Sequence, residues 1–223
     1  MKDSLYKTLI VDDRYKYILS GLTTTVIIAF FAVIIGIIIG TLVSLIRNNY
    51  EVNKKGKILN KICEIYVNVI RGTPVILQLM IIYYVIFKSV NINITLVGII
   101  AFGINSGAYV SEIIRSGINS IDKGQLEAGL SLGLNYHKTM KLIILPQAIK
   151  NILPALGNEF ITLVKETAIA GYIGIMDLTK ASDTIASRTY DYFFPLILIA
   201  IIYLIITGLL SKLMKSLERK LDK

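Results

Sequence analysis

The sequence has a single histidine and a single cysteine in 223 residues. Few enzymatic routes survive that scarcity. His137 alone cannot build a histidine-cluster metal site, and no Ser–His pairing stands at catalytic spacing, which argues against an intramembrane enzyme. Cys63 has no partner for an intramolecular disulfide and reads as a small helix-packing residue. There is no G-x4-G-K-[ST] stretch to cradle nucleotide phosphates. Charge is scarce too: 17% of residues are charged, against about 25% in a typical soluble domain. What fills the chain is apolar, with 54% hydrophobic residues and a mean hydropathy of +0.66. Lipid, rather than water, therefore solvates much of the surface. The net charge of +9 does not point to nucleic acid, because the basic residues fall in short stretches between apolar runs and leave no basic groove.

A helix that crosses the hydrocarbon needs about 20 mostly apolar residues. Five segments are candidates: about 18–46, 65–87, 89–111, 152–175 and 192–211. The first contains no charge. The second is interrupted by Arg71-Gly72-Thr73-Pro74, and the fourth carries Glu159, Lys165 and Glu166. The first is too long for a signal-peptide core, and no small-residue cleavage site follows it. Gly36 and Gly40 form a GxxxG in the first segment, a weak sign of close helix packing. No linker or internal repeat divides the chain, so 1–223 reads as one all-α transmembrane domain.

Loop charge orients the spans. Arg47, Lys54, Lys55, Lys57 and Lys61 follow the first. Arg115, Lys123, Lys138 and Lys141 follow the third. Lys212, Lys215, Arg219, Lys220 and Lys223 fill the tail, diluted by Glu218 and Asp222. The opposite regions mix signs: Lys2, Lys7, Arg14 and Lys16 with Asp3, Asp12 and Asp13, then Lys180 and Arg188 with Asp177, Asp183 and Asp191. The expected topology has the amino terminus outside and the carboxyl terminus in the cytoplasm.

The segment 122–146 is much longer than the usual helix-to-helix connection of about 2–8 residues. Asp122 is placed to cap a helix, with Gln125 in a capping-box-like position. Leu126, Leu130 and Leu134 recur at helical spacing. Ala128 and Gly133 are small enough to admit a close neighbour, and Pro146 restricts Leu145 and is expected to end the element. Such a helix fits either a membrane surface or a groove on a soluble partner.

The same segment resembles the EAA loop of ABC importer permeases, E-A-A-x3-G-x9-I-x-L-P. Glu127, Ala128, Gly129, Gly133, Ile143, Leu145 and Pro146 stand at matching positions, with Gly129 in place of the second alanine. Arg71-Gly72-Thr73-Pro74, Tyr109-x2-Glu112-x2-Arg115-x-Gly117, Leu145-Pro146-Gln147-Ala148 and Asn158-Glu159-Phe160-Ile161-x3-Lys165-Glu166-Thr167 are similar to the polar amino acid (histidine/glutamine/arginine-type) branch. The resemblance implies a half-pore in the bacterial plasma (inner) membrane. It would pair with a second copy or a related permease and dock on a cytoplasmic ABC ATPase dimer through Glu127, Ala128, Gly129, Gly133, Leu145 and Pro146. An extracytoplasmic binding protein would supply the amino acid. ATP and Mg would be bound by the partner ATPase, with no cofactor on this chain.

Intramembrane charges are functional candidates by default. Asn158 and Glu159 are placed to meet polar groups of a substrate, and a carboxylate there favours a cationic or amide side chain. Arg71 sits at the Gly72-Thr73-Pro74 break, where freed backbone groups can bind an amine or a carboxylate. Lys165 is a further candidate, with structural ion pairing as the alternative. Glu112 and Arg115 read as a snorkelling or intramolecular pair. The rival reading of the whole chain, a channel or ion-driven carrier, uses the same charges but gives no purpose to the EAA-like segment.

Overall fold

The computed structural model describes residues 2–221, with side chains from 6 to 220. The side chains of Lys2, Asp3, Asp222 and Lys223, used above in the charge reading, lie outside the described residues. Every regular element described is helical: α1 Lys2–Leu9, α2 Tyr15–Asn53, α3 Lys57–Gly72, α4 Val75–Ile81, α5 Ile94–Asn119, α6 Lys123–Ser131, α7 Tyr136–Thr139, α8 Leu145–Glu166, α9 Leu178–Thr189 and α10 Phe193–Leu221, with short 3-10 or π turns between some of them.

The long central pair sets the frame. A run of small residues on α2 meets another on α5: Ile28 lies by Gly98, Ala32 by Gly103, Gly36 by Ser106, and Gly40 by Val110 and Ser111. The offset is nearly constant along both helices, so α2 and α5 run parallel. A Cβ at Gly40 would lie 2.6 Å from Val110 Cγ1 and 2.8 Å from Ser111 N. The GxxxG is therefore a true contact, close enough for dispersion between backbones to replace the hydrophobic effect that lipid does not supply. α8 packs antiparallel to α5, with Ile152 on Gly117 and Glu159 beside Ser106. α10 returns along α8, where Gly157 meets Met214. The main core gathers Ile28, Phe102, Leu79, Leu163, Val164 and Ile175.

Three helices are long and apolar enough to cross a membrane: Val11–Asn53, Ile94–Asn119 and Phe193–Lys220. The bent pair Lys57–Gly72 and Val75–Ile86, folded by 112°, is a fourth candidate when its two helices are counted together. The expected second span, 65–87, is this broken pair. Its cause is local: Pro74 lacks an N–H and forces Thr73 to an extended conformation, φ −123° and ψ 149°. The carbonyls freed at the end of α3 find a donor in Gln78, whose Nε2 reaches Ile70 O at 2.7 Å and Thr73 O at 3.0 Å. Asn105 Nδ2 in turn donates to Gln78 Oε1 at 2.9 Å. Irregular backbone at membrane depth is tolerated where such partners exist. The expected fourth span, 152–175, is α8 followed by a 3-10 turn, Thr167–Ile173, and its charges keep it out of the apolar set.

Pro146 does not end an element. It lies in the first turn of α8, and Leu145 keeps helical angles, φ −60° and ψ −41°. The π turn Met140–Ile144 just before it widens the helix where the proline ring would otherwise meet a carbonyl of the preceding turn.

Candidate functional site: a charged cavity and an exposed capped helix

Glu159 comes from the middle of α8 and is 9% exposed. Ser106 Oγ of α5 donates to its Oε1 at 2.7 Å. It borders an open cavity of about 530 Å³ whose lining includes Arg71, Tyr109, Glu112, Arg115 and Asn151. Arg71 arrives from the last turn of α3 because the Thr73-Pro74 break stops the helix there. Its guanidinium lies 5.5 Å from the centre of the Tyr109 ring and 3.7 Å from Glu112 Oε2. The cavity thus carries a carboxylate on one wall and guanidinium groups on another. Its volume lies within the roughly 300–1,000 Å³ of small-molecule pockets.

Glu112 is a hub. Arg47 of α2 pairs with its Oε1, and Arg115 reaches Oε2 at 2.8 Å through Nη2 and 3.2 Å through Nε. The intramolecular pairing expected for Glu112 and Arg115 is present, with Arg47 and Arg71 added to it.

The other candidates divide. Gly72, Thr73 and Pro74 are exposed. Thr73 O and Oγ1 both accept from Gln78, so this stretch shapes the elbow that delivers Arg71. Asn158 and Lys165 are exposed and do not line the cavity. Three residues, Glu166, Gln78 and Asn105, were given no site role in the sequence reading. Glu166 lies two turns beyond Glu159 on the same face of α8; their seven-residue spacing was the available signal. The Gln78–Asn105 pair carried no sequence signal, since it joins residues far apart in the chain.

The exposed segment is organised as a short helix with both ends closed. Asp122 Oδ1 accepts from Gly124 N at 2.6 Å, the cap expected, while no return bond from Gln125 is found among the described residues. At the other end Gly133, at φ +84°, takes the left-handed position that favours glycine. Gly133 N donates to Leu130 O at 3.0 Å and Leu134 N to Gly129 O at 3.2 Å, a Schellman closure. Leu134 is thus outside the helix, and only Leu126 and Leu130 of the expected apolar edge belong to it. Gly133 has open space around its Cα, so within this chain it serves the turn and not a close contact. Gly129 is the crowded glycine: a Cβ there would overlap Thr139 Cγ2, which accounts for glycine in place of the second alanine. Glu127, Ala128, Leu130 and Leu132 face outward. Leu145 and Pro146 open α8 and lie apart from this helix.

Residues 32–223 match the family described as binding-protein-dependent transport system inner membrane component. A putative glutamine transport system permease protein of Rickettsia bellii is 44% identical over 93% of this chain and 94% of its own. An arginine transport system permease protein of Bacillus subtilis is 43% identical over the same shares. A solved structure described as the crystal structure of an amino acid ABC transporter with histidines is 44% identical, superposes with a TM-score of 0.86, and is matched over 92% of this chain and 94% of its own. With a family match over 32–223 and relatives above 40% identity along nearly the whole length, the chain belongs to the binding-protein-dependent transport system inner membrane component family, among the ABC transporter permeases.

Proposed function

We propose that the chain is one half-pore of an ATP-driven importer of polar or charged L-amino acids. A separate cytoplasmic ATPase docks on the face of α6 that carries Glu127, Ala128 and Leu130, and an extracytoplasmic binding protein delivers the substrate. A second copy or a related permease completes the pore. The observation that carries this reading is the cavity between α3, α5 and α8, with Glu159 on one wall and Arg71 on another. An amino acid presents both an ammonium and a carboxylate, and this pair of walls complements both. The Glu159 carboxylate favours substrates with cationic or amide side chains.

The antiparallel relation of α8 to α5 and the parallel run of α2 and α5 fit termini on opposite sides, and loop charge favours the carboxyl terminus inside. ATP binding draws the two ATPases together, their docked α6 helices move, and the two half-pores rock between outward and inward states.

The test is gentle purification from the native membrane, then reconstitution into liposomes with the ATPase and binding protein that co-purify. ATP-dependent uptake of labelled L-glutamine or L-arginine is expected. A chain that moves these amino acids with no ATPase present would make it an ion-driven carrier instead.

A further inference from the structure

Polar contacts, joined at two points through adjacent residues of the chain, link the exposed segment to the cavity. Asn135, just past the closure of α6, caps α7 through Lys138 N at 2.9 Å. The next residue, Tyr136, donates its hydroxyl to Asn48 Oδ1 at the end of α2, 3.2 Å away. Asn48 adjoins Arg47, whose guanidinium pairs with Glu112. Glu112 then holds Arg115 at 2.8 Å and Arg71 at 3.7 Å, and both arginines line the cavity with Glu159.

We propose that Glu112 is a positioning residue that passes movement of the 122–139 segment to Arg71, so that ATPase-driven displacement of α6 changes how the cavity holds a substrate carboxylate. The inference rests on the importer reading above.

The geometry supplies the reasons. Three guanidinium groups share one carboxylate with two oxygens. Arg47 occupies one oxygen and Arg115 the other, which leaves Arg71 the most distant member. Arg47 and Glu112 are each 18% exposed at the side chain, while Arg71 is 45% exposed. The partly buried pair is therefore the less screened link, and Arg71 the readily exchanged one. A shift of the end of α2, pulled through Tyr136 and Asn48, moves Arg47 and redistributes Glu112 among its partners. Arg71 is then either held on Glu112 and stacked on Tyr109, or released towards a substrate carboxylate. That is a two-arrangement element of the kind that coupling between distant sites requires.

The experiment uses the reconstituted complex, with L-arginine and L-glutamine as probes, and counts amino acid moved and ATP hydrolysed in the same liposomes. Glu112→Gln is expected to lower the amino acid moved per ATP hydrolysed about fivefold or more. Glu112→Asp, which retains the charge, is expected to restore most of the ratio. Tyr136→Phe should lower the ratio in the same direction, and the double variant should be no worse than Glu112→Gln alone, because both interrupt one chain. An unchanged ratio in Glu112→Gln, or losses that multiply independently in the double variant, would overturn the proposal. If Glu112→Gln does not insert into the membrane, Tyr136→Phe decides alone, and an unchanged ratio there overturns it. Wild-type complex that shows no ATP-driven uptake would instead refute the importer reading.

Discussion

At the scale of single residues, two positions carry sharp expectations. Glu159 accepts from Ser106 and lines the cavity. Glu159→Gln keeps the shape and the Ser106 contact but removes a charge-assisted bond to a cationic group, worth about 2 kcal/mol. The KM for L-arginine uptake should rise roughly thirtyfold, with a much smaller change for L-glutamine, and equal KM values in the two proteins would remove Glu159 from the substrate path. Gly129 gives a test of packing. Alanine is the residue of the EAA pattern, yet here its methyl would occupy the space of the Thr139 side chain. Gly129→Ala is expected to lower stability by about 1–3 kcal/mol, read as a lower melting temperature in detergent. Thr139→Ser removes the obstructing methyl group, so the double variant should recover a large part of the loss. Gly133 would behave differently, because its constraint is the left-handed turn: alanine there costs about 1 kcal/mol of backbone strain with nothing to relieve it.

At the scale of elements, the sequence was informative wherever the signal was local. The charge-free run of α2, the Asp122 cap and the Gly72-Thr73-Pro74 break could all be read along the chain, and each is where it was expected. Pro146 was misread because its effect depends on the π turn before it, and a wide turn has no residue signature. The Glu112 hub was half legible: Arg115 is three residues away on the same helix, while Arg47 and Arg71 come from other helices and only the tertiary arrangement brings them in. The N-terminus of α9 was not legible as a docking point. Asp177 is buried and accepts from Thr179 N at 2.8 Å and Lys180 N at 3.2 Å, while Gly21 of α2 packs on its carbonyl and Leu178 N donates to Thr25 Oγ1. Burial pushes the Asp177 carboxyl up, and the two backbone N–H groups pull it back. Asp177→Ala removes the cap and should cost about 1 kcal/mol. Asp177→Asn keeps an acceptor and sheds the charge, so it should melt close to the wild type. An alanine variant as stable as the asparagine one would show that the cap contributes nothing to holding α9 on α2.

At the scale of the whole molecule, direction is the property that contacts between helices constrain and side-of-membrane assignment completes. α2, α5 and α10 run one way and α8 the other, which places the 122–139 segment and the end of α10 at one end of the bundle and the α9–α10 turn at the other. The proposed importer topology, read from loop charge, has the first end in the cytoplasm. Two introduced thiols test the assignment directly. Tyr190 lies in the α9–α10 turn and is 95% exposed; Lys141 follows α7 and is also exposed. The native Cys63 is only 7% exposed, so it contributes little background, and Cys63→Ser removes it altogether. In intact cells a membrane-impermeant maleimide should label Tyr190→Cys and leave Lys141→Cys untouched until the membrane is permeabilised. The reverse pattern would invert the molecule, put α6 on the face opposite the ATPase, and end the importer reading, because a docking helix on the wrong side of the membrane has no nucleotide-driven partner to follow.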